Sequence, residues 1–226
     1  MVGVCSGAFL STAASIDIKV YGKGSHGSMP HLSVDTVVLA ANIVTRLQTI
    51  VSREINPMEM AVLTVGALNA GDTSNVIPQE AVIKINIRAY SDEVRKHLIE
   101  GIKRVTKAEC MASNSPKEPE FRIYNEYPLT INDREAALKL IEAFKKYLGE
   151  NRVAENYQPM SASEDLSNIP NALGVPYVYW GFGGYLDKDR ILPNHNPGFA
   201  PDLHPTLETG TEAAIVAVMS YLAKDN

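Results

Sequence analysis

The stretch AVIKINIRA, residues 81–89, decides the fold. Alanine and isoleucine occupy every second position, and the positions between them include Lys84, Asn86 and Arg88. A period of two is typical of a β-strand with one face in a hydrophobic core and the other facing water or a partner. We therefore predict a sheet whose open face carries these three polar side chains.

The segments around this strand alternate between strand and helix patterns. Strands are predicted at residues 16–21, 61–68 and 121–123, and helices at about 34–52 and 92–112. Ser33 stands where the first helix should have its N-cap. The order strand, helix, strand, strand, helix, strand is that of a ferredoxin-like βαββαβ domain. Both helices should then cover one face of a single four-stranded sheet.

A second unit begins near Tyr127. Helices are predicted at 134–148 and 206–222, a helix start at SASEDLS (161–167) with Ser161 or Ser163 as the cap, and a buried strand at 175–180. One strong strand in about a hundred residues cannot form a sheet. Either further strands are present, or the sheet needs residues that this chain does not contain.

Composition excludes several classes of protein. The 226 residues are 45% hydrophobic and carry a net charge of −5, which disfavours a non-specific nucleic-acid binder. The apolar runs are too short for a membrane helix, and the first residues have no basic segment typical of a signal peptide. Cys5 and Cys110 form neither a disulfide framework nor a metal knuckle. We expect a cytoplasmic protein that does not bind membranes.

His26 lies in the glycine-rich segment GKGSHGSMPH, residues 22–31. Gly22, Gly24 and Gly27 match GxGxxG, but no helix opens at the third glycine and the expected acidic residue is missing, so we reject a dinucleotide site. The glycines let His26 project and move, which makes it a candidate to reach into a site. The alternative is a solvated surface histidine.

Asn75 and Arg88 are candidates for substrate binding. They lie near opposite ends of the second arm of the predicted hairpin. A guanidinium on an open sheet face suits bidentate recognition of a carboxylate. The alternative is a strand arginine that only contacts water.

His195 is a candidate metal ligand. It lies between two asparagines in a loop held by Pro193 and Pro197, which can present an imidazole to zinc. A catalytic zinc site needs about three protein ligands, and the sequence contains neither HxH nor HExxH. The chain by itself therefore does not predict a complete metal site.

Four segments in order resemble the zinc-dependent amidohydrolases and metallopeptidases of the aminoacylase, carboxypeptidase and hippurate hydrolase group, most closely the branch acting on N-acyl amino acids. The segments are GKGSHGSMPHLSVDTVVLAANIVTRLQTIVSRE (22–54), GDTSNVIPQEAVIKINIRAYSDEVR (71–95), SASEDLS (161–167) and NHNPGFAPDLHPTLETGTEA (194–213). The resemblance covers nearly the whole chain. It implies a two-domain enzyme with a catalytic α/β domain and an inserted ferredoxin-like lid that dimerises.

The resemblance also implies roles for individual residues. His26 would reach a substrate oxyanion, often across the dimer, while Asn75 and Arg88 would hold the substrate carboxylate. His195 would be the last metal ligand, in the motif HNPGF. Gly183, in the turn GFGG, would lie near the substrate.

The family's other metal ligands and its glutamate base lie upstream of its lid, and none is present here. We therefore interpret the fold class as α/β (α+β): a ferredoxin-like lid with the C-terminal part of a zinc-peptidase catalytic domain. Residues 1–14 would end one catalytic segment, 15–126 form the lid and dimerisation domain, and 127–226 the C-terminal catalytic part. The cofactor would be a divalent metal, zinc first and manganese, cobalt or nickel as alternatives, at a site that is incomplete in this chain.

Two functions remain open from the sequence. The first is a metal-dependent amidohydrolase or peptidase that cleaves an N-acyl amino acid or a small peptide, works as a homodimer through the lid, and is inactive as this chain alone. The second is a non-catalytic lid module that pairs with itself or another subunit. A nucleic-acid domain of the same strand order is disfavoured, since it needs aromatic residues on its central strands and residues 61–68 contain none.

Overall fold

The computed structural model describes residues 1–223. The strands are β1 Val2–Gly3, β2 Gly7–Leu10, β3 Thr12–Tyr21, β4 Ser25–His26, β5 Ala61–Asn69, β6 Val76–Ile77, β7 Glu80–Ala89, β8 Glu120–Tyr127, β9 Thr130–Asn132, β10 Val153–Ala154 and β11 Gly181–Phe182. The helices are α1 Thr36–Glu54, α2 Asp92–Ala112, α3 Arg134–Leu148, α4 Asn168–Leu173 and α5 Leu203–Leu222. Residues 224–226, the end of the unit predicted from 127 to 226, lie outside the described part.

The chain divides into two compact units. One contains Leu10–Leu129 together with the short segment Ser161–Asp165, and we call it the lid unit. The other contains Met1–Phe9, Thr130–Met160 and the chain from Leu166 onward, and we call it the terminal unit. None of the helices in residues 1–223 is long and apolar enough to cross a membrane.

The lid unit contains the predicted four-stranded sheet, in the order β5-β7-β3-β8. Every neighbouring pair is antiparallel, and β3 pairs with β7 without interruption from Thr12 opposite Ala89 to Tyr21 opposite Glu80. Lys84, Asn86 and Arg88 alternate with buried isoleucines, as the period of two predicts. The ferredoxin-like fold is therefore confirmed.

Helices α1 and α2 share one core with a single face of this sheet. Leu39, Ile43 and Leu47 of α1 and Leu98 of α2 are completely buried, and they belong to one cluster with the inward-facing residues of β3 and β7. Between the helices, Gly101 packs directly against Ile50, since a Cβ at Gly101 would lie 3.2 Å from two atoms of that side chain. Among the described residues of the lid unit, both helices therefore pack on the same face of the sheet.

Capping side chains determine where the helices begin. The predicted bounds of α2 and α3 are confirmed, with Ser91 and Asp133 accepting backbone hydrogen bonds at their N-termini. Helix α1 differs from the prediction, because its N-cap is Asp35, which accepts from the amides of Val37 and Val38. Ser33 was the wrong cap, since its hydroxyl instead donates to the carbonyl of Pro30.

The terminal unit is built around α3 and α5. A three-stranded sheet of two-residue strands, β10-β1-β11, lies beside them. Phe144 of α3 is fully buried and meets Trp180 edge to face, with ring centroids 5.9 Å apart. Helix α5 spans Leu203–Leu222, but its helical geometry is broken at His204 and Pro205, so its continuous part from Thr206 to Leu222 is the helix predicted from the sequence. The small sheet agrees with the shortage of strands in the sequence.

The predicted strand at 175–180 is wrong. The segment lies beside Asn132, whose side-chain amide donates to the carbonyl of Tyr179 and accepts from its amide, at 2.8 and 2.6 Å. A side chain thus supplies the hydrogen bonds that a neighbouring strand would otherwise make. Pro176 has no N–H to offer a ladder.

The predicted helix start at 161–167 is also wrong. Residues 161–165 form no helix, and α4 begins only at Asn168. The carbonyls of Ser161 and Ala162 accept hydrogen bonds from Ser11, at 2.9 to 3.1 Å. These bonds to the lid unit hold the segment in a non-helical conformation. Tertiary contacts therefore override its capping pattern.

Candidate functional site

His26 lies in a short two-stranded sheet of the lid unit, whose strands are about fifty residues apart in sequence. Strand β4 pairs antiparallel with β6, which places His26 opposite Val76. The imidazole is exposed, and its Nδ1 lies 2.7 Å from the hydroxyl of Ser28 and 3.2 Å from the backbone N–H of the same residue. The other ring nitrogen, Nε2, makes no hydrogen bond to the part of the chain that the structure describes.

Asn75 is brought next to the strand that carries His26. The backbone N–H of Gly27 donates to the carbonyl of Asn75 over 2.7 Å. A Cβ at position 27 would lie 3.1 to 3.2 Å from the backbone of Asn75, so a glycine allows this close approach. Asn75 itself is exposed. The pairing of β4 with β6 thus places two of the predicted site residues side by side.

Arg88 lies on the open face of the sheet, half-buried near the end of β7. Its Nε donates to Oδ1 of Asn86 over 3.1 Å, and its Nη1 donates to the carbonyl of Ser161 over 2.5 Å. The hydroxyl of Ser163 lies 3.5 Å from the same Nη1. Nη2 has no hydrogen-bond partner among residues 1–223. One edge of the guanidinium therefore remains available to an anionic ligand.

Gly183 and His195 belong to the terminal unit. The amide of Gly183 donates to the carbonyl of Met1 over 3.0 Å, and Gly183 is exposed. His195 is exposed and adopts a positive φ of 69°. The turn that follows it is held by Asn196, whose side chain accepts from the amide of Gly198 over 2.8 Å. His195 therefore lies on an exposed turn of this loop.

The described residues do not form a metal centre by themselves. No group of three or more histidine, cysteine, aspartate or glutamate side chains within residues 1–223 could hold a metal ion. Glu164 and Asp165 are exposed, and His204 contacts Glu208 instead, with Nδ1 3.0 Å from its carboxylate. His195 is thus a single imidazole without further ligands in this part of the chain.

His97 and the two cysteines have surroundings that suit a structural role rather than a catalytic one. His97 lies 3.2 Å from Glu54, and hydrogen bonds from Arg104 lower the pKa of that glutamate below its ordinary value. Both cysteines are buried, and burial raises the pKa of the Cys110 thiol to about 11. Neither thiol is suited to act as a nucleophile at neutral pH.

Three contributors to the candidate site were missed from the sequence. Ser28 contacts the imidazole of His26, while Asn86 and Ser161 bind the guanidinium of Arg88. A signal existed for Asn86, because it lies two residues before Arg88 and so on the same strand face. Ser161 carries no such signal, since its role depends on a backbone carbonyl from a distant part of the chain.

Comparison with known proteins identifies the class to which this fold belongs. Residues 10–113 match the family model described as the peptidase dimerisation domain, which spans β3, α1, β5, β7 and α2. The chain is 37% identical to hippurate hydrolase of Campylobacter jejuni over 195 residues, covering 85% of this chain and 48% of that enzyme. It is 38% identical to N-acetyl-L-cysteine deacetylase of Bacillus subtilis over 203 residues, covering 89% of this chain and 46% of that enzyme.

Solved structures agree with this class. A crystal structure from methicillin-resistant Staphylococcus aureus, described as an aminohydrolase, superposes with a TM-score of 0.83 at 28% identity, covering 98% of this chain and 55% of that one. A dinuclear metal-binding peptidase of the M20 family from Bacillus subtilis has the same fold, with a TM-score of 0.73 at 20% identity and coverages of 97% and 52%. The chain belongs to the M20 family of amidohydrolases and metallopeptidases. It spans about half the length of the curated relatives it matches.

Proposed function

We propose that this chain is the C-terminal part of a metal-dependent amidohydrolase that cleaves the amide bond of an N-acyl amino acid or a small peptide. Residues 15–126 act as the substrate-gripping lid and dimerisation domain, 1–14 end a catalytic segment, and 127–226 form the C-terminal catalytic part. The observation that carries the proposal is Arg88, a half-buried guanidinium on the open face of the lid sheet with one free edge. We also propose a cytoplasmic location, in keeping with two unpaired cysteines.

The lid supplies groups that suit an N-acyl amino acid. The free edge of Arg88 and the side-chain amide of Asn75 bind the substrate carboxylate, because both offer N–H donors to its oxygens. The exposed imidazole of His26 donates a hydrogen bond to the oxygen that becomes negative when the amide carbonyl is attacked. Gly183 lines the substrate site, where the absence of a side chain leaves room for the acyl group. These roles require no covalent step on the lid.

The metal site needs ligands beyond this chain. His195 contributes one imidazole, and zinc is the metal we propose, with manganese, cobalt or nickel as alternatives that imidazole also accepts. The donor set in residues 1–223 does not hold a metal on its own. The remaining ligands and the general base therefore come from the half of the relatives' length that this chain does not match.

A homodimer through the lid is supported by the two edges of its sheet. Both edge strands have a register shift in their pairing, β8 with β3 and β5 with β7, but β8 also carries Glu120, Arg122 and Glu126, whose charges protect an edge from pairing. The other edge strand, β5, has no charged residue over Ala61–Asn69. We propose that β5 is the edge that contacts a second copy of the chain.

The test of the hydrolase proposal is a chimera. The half of Campylobacter jejuni hippurate hydrolase that this chain does not match would be joined to the present chain, and hydrolysis of hippurate measured with added zinc or manganese. We expect turnover by the chimera and none by the chain alone. Arg88→Ala should raise KM about 10- to 100-fold, because it removes charged hydrogen bonds worth about 1.5–3 kcal/mol each. His195→Ala should abolish turnover.

Lys84→Ala is the matched control for Arg88→Ala, since Lys84 lies on the same face of the same strand. It should leave KM within about twofold. Equal effects of the two substitutions would contradict carboxylate binding by Arg88. Robust turnover by the chain alone, lost in His195→Ala, would show that its catalytic site is complete.

The dimer is tested by light scattering. Thr64→Lys with Leu68→Lys places two charges on the β5 edge, where both residues are exposed, and should convert a dimer into a monomer. Arg122→Ala on the opposite edge serves as the control and should leave the dimer intact. A dimer that survives both lysines would place the interface elsewhere.

A further inference from the structure

The turn after His26 places two hydrogen-bond donors on one ring nitrogen. The backbone N–H of Ser28 lies 3.2 Å from Nδ1, and its hydroxyl lies 2.7 Å from the same atom. A backbone N–H can only donate, so Nδ1 must present its lone pair. In the neutral imidazole the proton then resides on the other nitrogen, Nε2.

The same turn is held in place by its backbone. The carbonyl of His26 accepts from the amide of Met29 over 2.8 Å, and the hydroxyl of Ser25 donates to the carbonyl of Met29 over 3.1 Å. The carbonyl of Asn75 fixes Gly27 from the neighbouring strand. These backbone hydrogen bonds fix the turn, and the turn therefore fixes the position of the Ser28 N–H relative to Nδ1.

We infer that Ser28 is a positioning residue, which holds the imidazole of His26 in the tautomer whose exposed Nε2–H can donate to a substrate oxygen. This inference rests on the proposed role of His26 as a donor to the developing oxyanion. In the other tautomer Nε2 would present a lone pair, which repels a negative oxygen. A neutral donor of fixed direction needs no added proton before it acts.

The backbone N–H is the donor that selects the tautomer, because a hydroxyl can either donate to a bare Nδ1 or accept from Nδ1–H. Replacing the backbone amide of Ser28 by an ester, through incorporation of the corresponding α-hydroxy acid, removes this N–H and keeps the hydroxyl. Loss of one neutral hydrogen bond corresponds to about a 2- to 10-fold change in the ratio of the two tautomers. Ser28→Ala is the matched control, since it removes the hydroxyl contact at 2.7 Å, which either tautomer can make, and keeps the backbone N–H.

The experiment is a long-range proton–nitrogen NMR spectrum of the imidazole in the full chain, recorded where the ring is neutral. We expect Nε2–H to dominate in the unchanged protein, its ratio to Nδ1–H to fall about 2- to 10-fold in the ester variant, and Ser28→Ala to match the unchanged protein within about twofold. A ratio that does not move in the ester variant, or that moves as much in Ser28→Ala, overturns the inference.

This readout separates the inference from the proposed function. If the tautomer ratio responds to the ester variant at Ser28 but His26→Ala leaves turnover of the hippurate hydrolase chimera unchanged, Ser28 positions the ring and the proposed role of His26 fails. If turnover needs His26 but the ratio is the same in the ester variant, the role of His26 stands and the inference about Ser28 fails.

Discussion

The packing of α1 against α2 allows one stability prediction to be worked out in full. Gly101 stands in the middle of α2, where alanine is favoured over glycine by about 1 kcal/mol on helix propensity. A Cβ at that position would lie 3.2 Å from Cδ1 and Cγ2 and 3.4 Å from Cγ1 of Ile50, which is completely buried. Inserting a methyl group into a packed core costs about 1–3 kcal/mol. We expect Gly101→Ala to destabilise the lid unit by about 1 kcal/mol.

The cause can be isolated by trimming the partner. Ile50→Val removes Cδ1, one of the two closest atoms, and should cost about 1 kcal/mol by itself. In that background Gly101→Ala should become neutral or stabilising, which gives a favourable coupling of about 1 kcal/mol in a double-mutant cycle. Gly101→Leu, which cannot be accommodated by small shifts, should destabilise in either background.

Hydrogen exchange of the amides of Leu98 and Ile102, measured by NMR, is the suitable assay. Both residues are fully buried in the lid core beside Gly101, so their exchange reports the opening of this unit. Fluorescence would not, because the single tryptophan, Trp180, lies in the terminal unit. If Gly101→Ala stabilises by the full helix-propensity term and shows no coupling to Ile50, the two helices do not pack as described.

Three further predictions concern other parts of the chain. Hydrogen bonding from Arg104 lowers the pKa of Glu54, so the stability that this carboxylate contributes is present above its ordinary pKa and is lost as pH falls through the lowered one. Glu54→Gln should remove that acid dependence, about 1 kcal/mol, from the hydrogen exchange of the lid core between about pH 3 and 6. Phe144→Ala should destabilise the terminal unit by about 3–5 kcal/mol in urea unfolding followed by tryptophan fluorescence, whereas exposed Leu138→Ala should change it by less than about 0.5 kcal/mol. The Cys110 thiol, whose burial raises its pKa to about 11, should react with a disulfide reagent at about pH 8 roughly a hundredfold more slowly in the native than in the unfolded chain, and equal rates would contradict the burial.

Local patterns predicted several elements of both units well, because the burial and the capping of these elements follow from residues close to one another in sequence. Strand β7 alternates strictly, and α2 and α3 carry a capping serine and aspartate directly before their first turns. The cap of α1 was ambiguous, because Ser33 and Asp35 are both capable and only the path of the chain decides between them. Patterns of this kind depend on nearest neighbours in sequence.

The two wrong predictions of secondary structure, at 175–180 and 161–167, share a different physical cause. The segment at 175–180 has its backbone satisfied by the side chain of Asn132, and the segment at 161–167 by Ser11 and Arg88. Both are long-range interactions that a single sequence does not encode locally. The candidate site shows the same division, since the exposure of His26 was predictable from its glycine-rich segment, whereas its contact with Ser28 depends on the conformation of the turn.

The association of Ser161–Asp165 with the lid unit bears on how this module could be transplanted. A fragment cut at Leu10 and Leu129 would leave behind the carbonyl that now satisfies Nη1 of Arg88, although every strand of the main sheet would be retained. The orphaned guanidinium would then turn to solvent and lose its present direction. A graft of the lid unit onto another scaffold should therefore include the pentapeptide Ser161–Asp165, joined to it by a linker.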